Sequence, residues 1–247
     1  MELKDKIAIV TGGASGLGKS IVEMFLSNKA KVVVLDINQE ALNTLEDSEN
    51  ILKIACDITK EDDIANAIKQ VMGKFFKIDV LVNNAGILYS EPLINLMSKE
   101  KRHSISTWQK VIDINLTAPF VLSSYVVEHM ITSRTKGVII NISSISARGN
   151  AGQSAYSAAK AGLESMTKVW AKELGSFGIR SVAIAPGFMN TESTHSAVTQ
   201  DVLEHVKKET PIKRLGEAED ISNAVKFAIE NEYLSGKILE IDGGLTI

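Results

Sequence analysis

A tyrosine and a lysine stand four positions apart in the segment SAYSAAK, which covers residues 154–160. In a helix these two side chains, Tyr156 and Lys160, lie on one face a single turn apart. A phenol with a pKa of about 10 is a poor base at neutral pH, but a neighbouring ammonium favours its anion. The spacing therefore predicts a tyrosine that donates and accepts a proton in a reaction.

A serine upstream of this pair is a candidate for the same reaction. Ser144 ends the segment NISS, residues 141–144, and precedes Tyr156 by 12 positions. Its hydroxyl could hold a substrate oxygen in place while the tyrosine moves the proton. The structural alternative is a helix face of small residues that packs on a neighbour, with Lys160 solvated, because a tyrosine and a lysine at this spacing are common by chance.

A glycine-rich turn, TGGASGLG, occupies residues 11–18 between an apolar run and an amphipathic segment. Gly12 permits a tight turn, while Gly16 and Gly18 let backbone amides and a helix N-terminus approach a diphosphate. An ordinary strand-to-helix loop is the alternative. The context favours a dinucleotide-binding turn, because an acidic residue, Asp36, ends the next apolar run.

Asp36 also bears on the choice of cofactor. It stands 18 residues after Gly18, close to where a carboxylate would accept hydrogen bonds from a ribose. A carboxylate repels a 2′-phosphate, and the turn carries Ser15 rather than an arginine that would offset the repulsion. The predicted cofactor is therefore NAD. The alternative role for Asp36 is to cap the following helical segment, NQEAL.

The elements that must position these residues alternate along the chain. Seven short, mostly apolar runs are predicted strands: KIAIV (6–10), KVVVLD (31–36), ILKIA (51–55), DVLVNN (79–84), GVIINIS (137–143), RSVAIA (180–185) and KILEID (237–242). Helical spacing marks 61–76, and longer helices are predicted over 107–131 and 153–176. Continuous apolar strands alternating with helices predict a doubly wound, parallel, seven-stranded α/β sheet with helices on both faces. No linker divides residues 1–247, so we expect a single domain.

Composition excludes several classes of function. With 30 acidic and 27 basic residues and a net charge of −3, the chain offers no electrostatic reason to bind nucleic acid or an anionic membrane. The only cysteine, Cys56, fits a reducing cytoplasm. The four histidines, at 103, 129, 195 and 205, show no metal-ligand spacing. The apolar run near the N-terminus is too short for a signal peptide or membrane span.

Together the motifs resemble the short-chain dehydrogenase/reductase family over essentially the whole chain. After TGGASGLG they follow in the family's order: CDIT with Asp57, NNAG (83–86), INLTAPF with Asn115, NISS, YSAAK, PGFMNT (186–191) and DGG (242–244). The resemblance implies a Rossmann fold and an oxidoreductase that interconverts a secondary alcohol and a ketone by hydride transfer.

The resemblance also implies residue roles. Tyr156 is the expected general acid/base, with Lys160 on the nicotinamide ribose, Ser144 on the substrate oxygen, and Asn115 kinking its helix and anchoring a proton-relaying water. Asp57 is expected at the adenine amine, Asn84 and Gly86 at the ribose, and Met189 and Thr191 at the carboxamide and diphosphate. The full implied cofactor set is Gly12, Ser15, Gly16, Leu17, Gly18, Asp36, Asp57, Ile58, Asn84, Gly86, Tyr156, Lys160, Gly187, Met189 and Thr191.

One spacing departs from the family pattern. The usual serine-to-tyrosine distance of 13 positions would select Ser143, whereas the NISS register selects Ser144. Adjacent strand residues face opposite ways, so only one of the two hydroxyls can reach the substrate. We favour Ser144, because loops absorb deletions more readily than strand ends do.

The favoured substrate is a 3-hydroxyacyl thioester, and other substrate classes are alternatives. The extended segment 86–109 and the acid at Asp36 are similar to the short-chain 3-hydroxyacyl-CoA dehydrogenases, the type 10 hydroxysteroid dehydrogenase group. Within that segment, the KEKRH run (99–103) either meets coenzyme A phosphates or is a solvated loop. GNAGQSAYSAAKAG and KRLGEAEDI are instead similar to 3-oxoacyl-carrier-protein reductases, which usually take NADPH. A sugar or simple secondary-alcohol dehydrogenase is a further alternative.

The segment 187–214 is the expected substrate lid, in which Phe188, Met189, Val198, Val202 and Leu203 either line a pocket or pack within the fold. A non-catalytic NAD-binding regulator is a hypothesis of a different class. The complete set of serine, tyrosine, lysine and asparagine argues against it. By resemblance, we expect a small-molecule substrate and a homotetramer or homodimer.

Overall fold

The computed structural model describes residues 1–97 and 99–246, without the side chains of residues 193 and 197. Two residues of the predicted domain lie outside the described residues. They are Ser98, which is also part of the 86–109 segment, and Ile247. Seven strands form one sheet: β1 (Ile7–Thr11), β2 (Lys31–Asp36), β3 (Ile51–Ala55), β4 (Val80–Asn83), β5 (Val138–Ile142), β6 (Arg180–Pro186) and β7 (Ile238–Ile241). All pairs are parallel, in the order β3-β2-β1-β4-β5-β6-β7. The predicted sheet is confirmed.

Helices cover both faces of the sheet. They are α1 (Gly16–Ser27), α2 (Gln39–Asn43), α3 (Glu61–Phe75), α4 (Ile105–Ile112), α5 (Ala118–Thr132), α6 (Ser154–Leu174), α7 (Glu192–Ala197), α8 (Gln200–Glu209) and α9 (Ala218–Glu230). The core is split accordingly. In β1, Ala8 and Val10 belong to one hydrophobic cluster and Ile7 and Ile9 to the other, because successive strand residues point to opposite faces.

The strand order reverses at β1, whose neighbours are β2 and β4. Crossovers leave in opposite directions from this point, which opens a crevice beyond the carboxyl ends of the strands. The glycine-rich turn follows β1, the NNAG segment spans the end of β4, and the NISS segment spans the end of β5. The topology thus brings the three motifs to one edge of the sheet.

The helix predicted over 107–131 is interrupted. Between α4 and α5 the chain forms a π-helical turn, Asp113–Thr117, with the fully buried Asn115 at its centre. This is the position at which the resemblance implied a kink. By length and composition alone the combined helix Ile105–Thr132 could also cross a bilayer. Its residues Leu122, Val126 and Met130, however, are buried in the core.

Two irregular stretches flank the crevice. The segment 88–104 contains no helix or strand in its described part, only isolated bridges from Glu91 to Gln153 and from Ile94 to Arg102. The segment 187–214 carries α7 and α8. Leu203 and Val206 of α8 form a third, smaller core with Ile145, Leu215 and Leu245.

Candidate active site

A cleft of about 940 Å³ lies at the carboxyl edge of the sheet. It brings together residues from the whole chain that the sequence singled out: Gly12, Ser15, Gly16, Leu17, Asp36, Asp57, Ile58, Asn84, Gly86, Asn115, Ser144, Tyr156, Lys160, Gly187, Met189 and Thr191. Their individual roles stay predictions. What the structure contributes is that these residues, up to 179 positions apart in sequence, border one space.

Gly18 is the one predicted site residue that does not border the cleft among the residues described. It packs instead against the turn that precedes it. A Cβ atom at Gly18 would lie 2.0 Å from the carbonyl oxygen of Gly12 and 2.6 Å from Asn84 Nδ2. The Asn84 amide in turn donates to the carbonyl oxygens of Thr11, at 2.9 Å, and Gly12, at 3.2 Å. Gly18 therefore lets α1 approach the turn closely enough to aim at the cleft.

The N-terminus of α1 suits an anion. Ser15 is its N-cap in an extended conformation, and within the described chain its side chain makes no capping hydrogen bond. The first turn holds no acidic residue. Gly16 has φ +51°, and a Cβ there would meet no described atom within 4 Å apart from its chain neighbours and the backbone of α1. Backbone amides at a helix N-terminus, facing open space, are the donors that a diphosphate requires.

Asp36 links the turn to the end of β2. One carboxylate oxygen accepts a hydrogen bond from Ala14 N at 3.1 Å, and the other accepts from Asn38 N at 2.9 Å. The capping alternative is wrong, because the N-cap of α2 is Asn38, whose side chain accepts from Ala41 N. Asp36 is half-buried at the cleft wall, where its remaining lone pairs can accept from ribose hydroxyls.

The two adjacent serines are engaged differently. A hydrogen bond with Ser144 lowers the pKa of the Tyr156 phenol, and Ser144 Oγ also accepts from Ser146 N at 3.1 Å. Ser143 Oγ donates instead to Glu164 Oε1 at 2.9 Å and is almost fully buried. The Ser144 hydroxyl thus faces the tyrosine, while both serines border the cleft, and the choice of Ser144 to hold the substrate oxygen stays a prediction.

Lys160 is buried with its ammonium turned to the protein. Its Nζ donates to the carbonyl oxygen of Ile142 at 2.7 Å and lies 5.6 Å from the centroid of the Tyr156 ring. Burial lowers the pKa of Lys160 to about 8. Burial also raises the pKa of Tyr156, against the opposing effect of Ser144.

The prediction of a net lowered pKa for Tyr156 is therefore wrong for this arrangement, because burial raises that pKa. The lysine lies over the ring and hydrogen-bonds to the backbone, so desolvation of the phenolate is the larger effect. The pair is close, and both side chains share the cleft.

Asn115 ties the π-helical turn to the segment after β4. Its Oδ1 accepts from Ile87 N at 3.2 Å, and its Nδ2 donates to the carbonyl oxygens of Ile87, at 3.1 Å, and Val111, at 3.0 Å. A Cβ at Gly86 would lie 2.5 Å from Asn115 Oδ1 and 3.6 Å from Lys160 Nζ. Asn115 thus fixes the backbone that faces the lysine, while its water-anchoring role stays a prediction.

Two further predicted contacts have defined local partners. Asp57 Oδ1 accepts from the hydroxyl of Thr59 at 2.6 Å and from its backbone N at 3.1 Å. The hydroxyl is the largest cause of the lowered pKa of Asp57. Thr191 is the N-cap of α7, and its hydroxyl accepts from Thr194 N. Both residues border the cleft from opposite halves of the chain.

The 187–214 segment divides between the pocket and the fold. Phe188, Met189 and Val198 border the cleft. Leu203 is instead buried in the third core, and Val202 is exposed on the outer side of α8. Three of the five side chains therefore line the pocket and Leu203 packs within the fold, while Val202 does neither. That the segment acts as a lid stays a prediction.

Sequence reasoning missed one wall of the cleft. Ser106, Gln109, Lys110 and Asp113 border it from α4 and the start of the π-helical turn. Their spacing of i, i+3, i+4 and i+7 was the available signal, since it places four polar side chains on one helix face. Gln153, which precedes α6, also borders the cleft.

Comparisons with known proteins agree with this arrangement. Residues 6–202 match the family model described as short chain dehydrogenase. The chain is 36% identical to the 3-oxoacyl-[acyl-carrier-protein] reductase FabG of Thermotoga maritima, over 100% of both chains. It is 33% identical to the protein of the same name from Escherichia coli, over 99% of both.

Solved structures are similar over the whole fold. A putative gluconate dehydrogenase from Agrobacterium tumefaciens superposes with a TM-score of 0.90 at 29% identity, covering 99% of this chain and 97% of that one. A 3-ketoacyl-(acyl-carrier-protein) reductase from Brucella melitensis, complexed with NADH, superposes with a TM-score of 0.88 at 28% identity. The alignment with the second covers 99% of this chain and 100% of that one.

Proposed function

Because the chain belongs to the short-chain dehydrogenase family and is thus an oxidoreductase with a nicotinamide cofactor, we propose that it uses NAD to interconvert the 3-hydroxy and 3-oxo forms of an acyl thioester. The observation that carries the proposal is the shared cleft. Tyr156, Ser144 and Lys160 border the same space as the glycine-rich turn and Asp36.

The chain's own residues fit that cofactor. The uncapped first turn of α1 offers amides to a diphosphate, and Asp36 offers a carboxylate to a ribose. A bound nicotinamide supplies the hydride that passes to or from the substrate carbon. The remaining chemistry, which is to hold one oxygen and move one proton, belongs to side chains.

In the direction of ketone reduction, Ser144 Oγ donates a hydrogen bond to the substrate carbonyl oxygen, and the Tyr156 hydroxyl donates a second. As the oxygen gains negative charge, the Tyr156 proton transfers to it and leaves a phenolate. Burial raises the pKa of Tyr156, so the proton stays on the phenol until an acceptor is present. The nearby Lys160 ammonium then stabilises the phenolate. Oxidation of the alcohol reverses these transfers.

The choice of NAD is supported by the surroundings of Asp36. Its two oxygens are fixed by Ala14 N and Asn38 N, so the charge cannot swing away from the cleft wall. A 2′-phosphate placed there would meet this charge directly. We expect Asp36→Ala to reduce the preference for NADH over NADPH at least tenfold, measured as the ratio of kcat/KM values. An unchanged ratio would remove Asp36 from this role.

The acyl thioester is supported by the named relatives, several of which are 3-oxoacyl-[acyl-carrier-protein] reductases at 33–37% identity. The proposal covers thioesters of both coenzyme A and a carrier protein. The decisive experiment is a panel of 3-oxoacyl and 3-hydroxyacyl esters on both carriers, with sugars and simple alcohols as controls, assayed with NADH and NADPH. Turnover of sugars or alcohols alone would contradict the proposal.

We also propose a cytoplasmic homotetramer or homodimer. Several large apolar side chains stay exposed on α5, α6 and α9, namely Phe120, Val169 and Phe227. The edge strand β7 is only half-buried, and an unpaired edge beside apolar helices favours association with another copy. Light scattering measures the assembly, and a monomer at micromolar concentration would contradict this part.

A further inference from the structure

The segment 88–104 returns on itself at one buried pair of side chains, Glu91 and His103. Only 15% of the Glu91 side chain and 8% of the His103 side chain are exposed. His103 Nδ1 lies 3.0 Å from the carbonyl oxygen of Glu91 and 3.4 Å from its carboxylate oxygen Oε2. The two residues thus meet through both backbone and side chain.

The partners of Nδ1 decide which nitrogen carries the proton. A carbonyl oxygen only accepts, so Nδ1 must donate. Nε2 is then a buried nitrogen without a hydrogen-bond partner in the described chain. The ring also packs edge-on against Tyr89 and Trp108, with centroids 6.5 Å and 6.3 Å away. A phenylalanine would fill that space without an unpaired nitrogen, so the Nδ1 contact is what histidine contributes here.

Glu91 connects this closure to the catalytic helix. Its backbone N donates to the carbonyl oxygen of Gly152 at 2.6 Å, four positions before Tyr156. Its Oε2 accepts from the backbone N of Ser104 at 3.1 Å, and Ser104 is the N-cap of α4. A second link, from Gln153 Nε2 to Ser90 Oγ at 3.2 Å, runs parallel to the first.

Glu91 therefore joins three walls of the cleft, its carboxylate through Ser104 and its backbone N–H through Gly152. Residues 86–88, which lead into the segment and include its first residue, border the cleft. Glu91 attaches the segment to the start of α6 through Gly152, and to the start of α4 through Ser104. We propose that Glu91 and His103 are positioning residues, and that their buried pair holds the 88–104 segment against α4 and α6 so that the substrate side of the cleft keeps its shape.

Three variants and one control test the proposal. His103→Phe keeps the aromatic packing and removes the Nδ1 donor. His103→Asn places an amide donor near the position of Nδ1. Glu91→Gln keeps an acceptor for Ser104 N and removes the charge. Glu100→Gln, an exposed carboxylate of the same segment, is the matched control.

The first readout is hydrogen–deuterium exchange of the protein without added cofactor or substrate. We expect His103→Phe to raise exchange at least fivefold in both 88–104 and 149–157, with Glu91→Gln intermediate and His103→Asn and Glu100→Gln close to wild type. This arm needs no substrate. It therefore fails only if the positioning idea is wrong, whatever happens to the proposed function.

The second readout is kinetic and rests on the proposed function. We expect His103→Phe to raise KM for the 3-oxoacyl thioester about tenfold, with kcat and the dissociation constant of NADH within about twofold of wild type. His103→Asn should restore most of the KM. Unchanged KM and exchange in both His103→Phe and Glu91→Gln would overturn the proposal. A joint loss of kcat, NADH affinity and thermal stability in both His103→Phe and His103→Asn would also overturn it, because that pattern indicates general unfolding.

Discussion

The two sides of the cleft are built in different ways. The cofactor side consists of turns at the ends of largely buried strands, and its groups are fixed by the backbone, as when Asp36 accepts from Ala14 N and Asn38 N. The substrate side consists of the irregular segments 88–104 and 187–214, which expose apolar side chains such as Leu96 (74%) and Met97 (96%).

The difference follows from what each side must bind. A diphosphate and a ribose present the same groups in every nicotinamide cofactor, so rigid backbone donors at a sheet edge can serve them. A substrate varies between relatives, and loops on a rigid scaffold can change without disturbing the sheet. Variants should therefore separate cofactor binding from turnover in this protein.

The largest expected effect is on turnover rather than on cofactor binding. Tyr156→Phe should lower kcat about 10³-fold, since general acid–base catalysis typically contributes 10²–10⁴-fold. The dissociation constant of NADH should change less than about threefold, because the donors for the diphosphate lie on α1. Single-turnover kinetics and a fluorescence titration measure the two quantities. Near-normal turnover would remove Tyr156 from the mechanism.

The adjacent serines offer a matched pair. Ser144→Ala should lower kcat/KM about 10²-fold, because it removes a donor to the developing oxyanion. Ser143→Ala should change it less than about fivefold, since that hydroxyl donates to Glu164. Steady-state kinetics of both variants provide the check. Equal losses of kcat/KM in the two variants would show that the orientation of the two hydroxyls in the structure does not decide which serine binds the substrate oxygen.

Two helical glycines, Gly18 beside the cofactor turn and Gly73 away from the cleft, distinguish the effect of close packing from that of helix propensity. Gly18→Ala should destabilise the fold by about 2 kcal/mol and weaken NADH binding, because the new Cβ meets backbone atoms of the turn. Gly73→Ala in α3 should stabilise it by about 0.5–1 kcal/mol, since its Cβ position has no described atom within 4 Å apart from its chain neighbours and the backbone of its own helix. Urea denaturation of both variants measures the difference. Similar free energies of unfolding would contradict the close approach of α1.

The smallest expected effect is a pH dependence where the two sides meet. Burial lowers the pKa of Lys160 to about 8 from an ordinary 10.5. Between these values the unfolded chain binds more protons at this position than the native one. The contribution of Lys160 to stability therefore rises with pH in this window.

Relative to Lys160→Met, the wild-type free energy of unfolding should increase by about 1 kcal/mol from pH 7 to pH 9. Urea denaturation at the two pH values is the measurement. A constant difference between wild type and variant would mean that the native pKa is not lowered.

Much of this protein is determined by the sequence itself. The buried parallel sheet was predictable because its strands are continuous apolar runs between helical segments. The cofactor turn was predictable because Gly12, Gly16 and Gly18 serve a local backbone geometry that a few adjacent residues specify. Tyr156 and Lys160 are adjacent on one helix, so their proximity also follows from local spacing.

Only the tertiary structure decided the remaining features. The Lys160 ammonium turns to the carbonyl of Ile142 rather than to the phenol oxygen, and Ser144 rather than Ser143 interacts with Tyr156. Glu91 contacts His103 and bonds to Ser104 at the start of α4 and to Gly152 before α6. These outcomes depend on desolvation and on contacts between residues distant in sequence. Residue type and local spacing do not determine such effects.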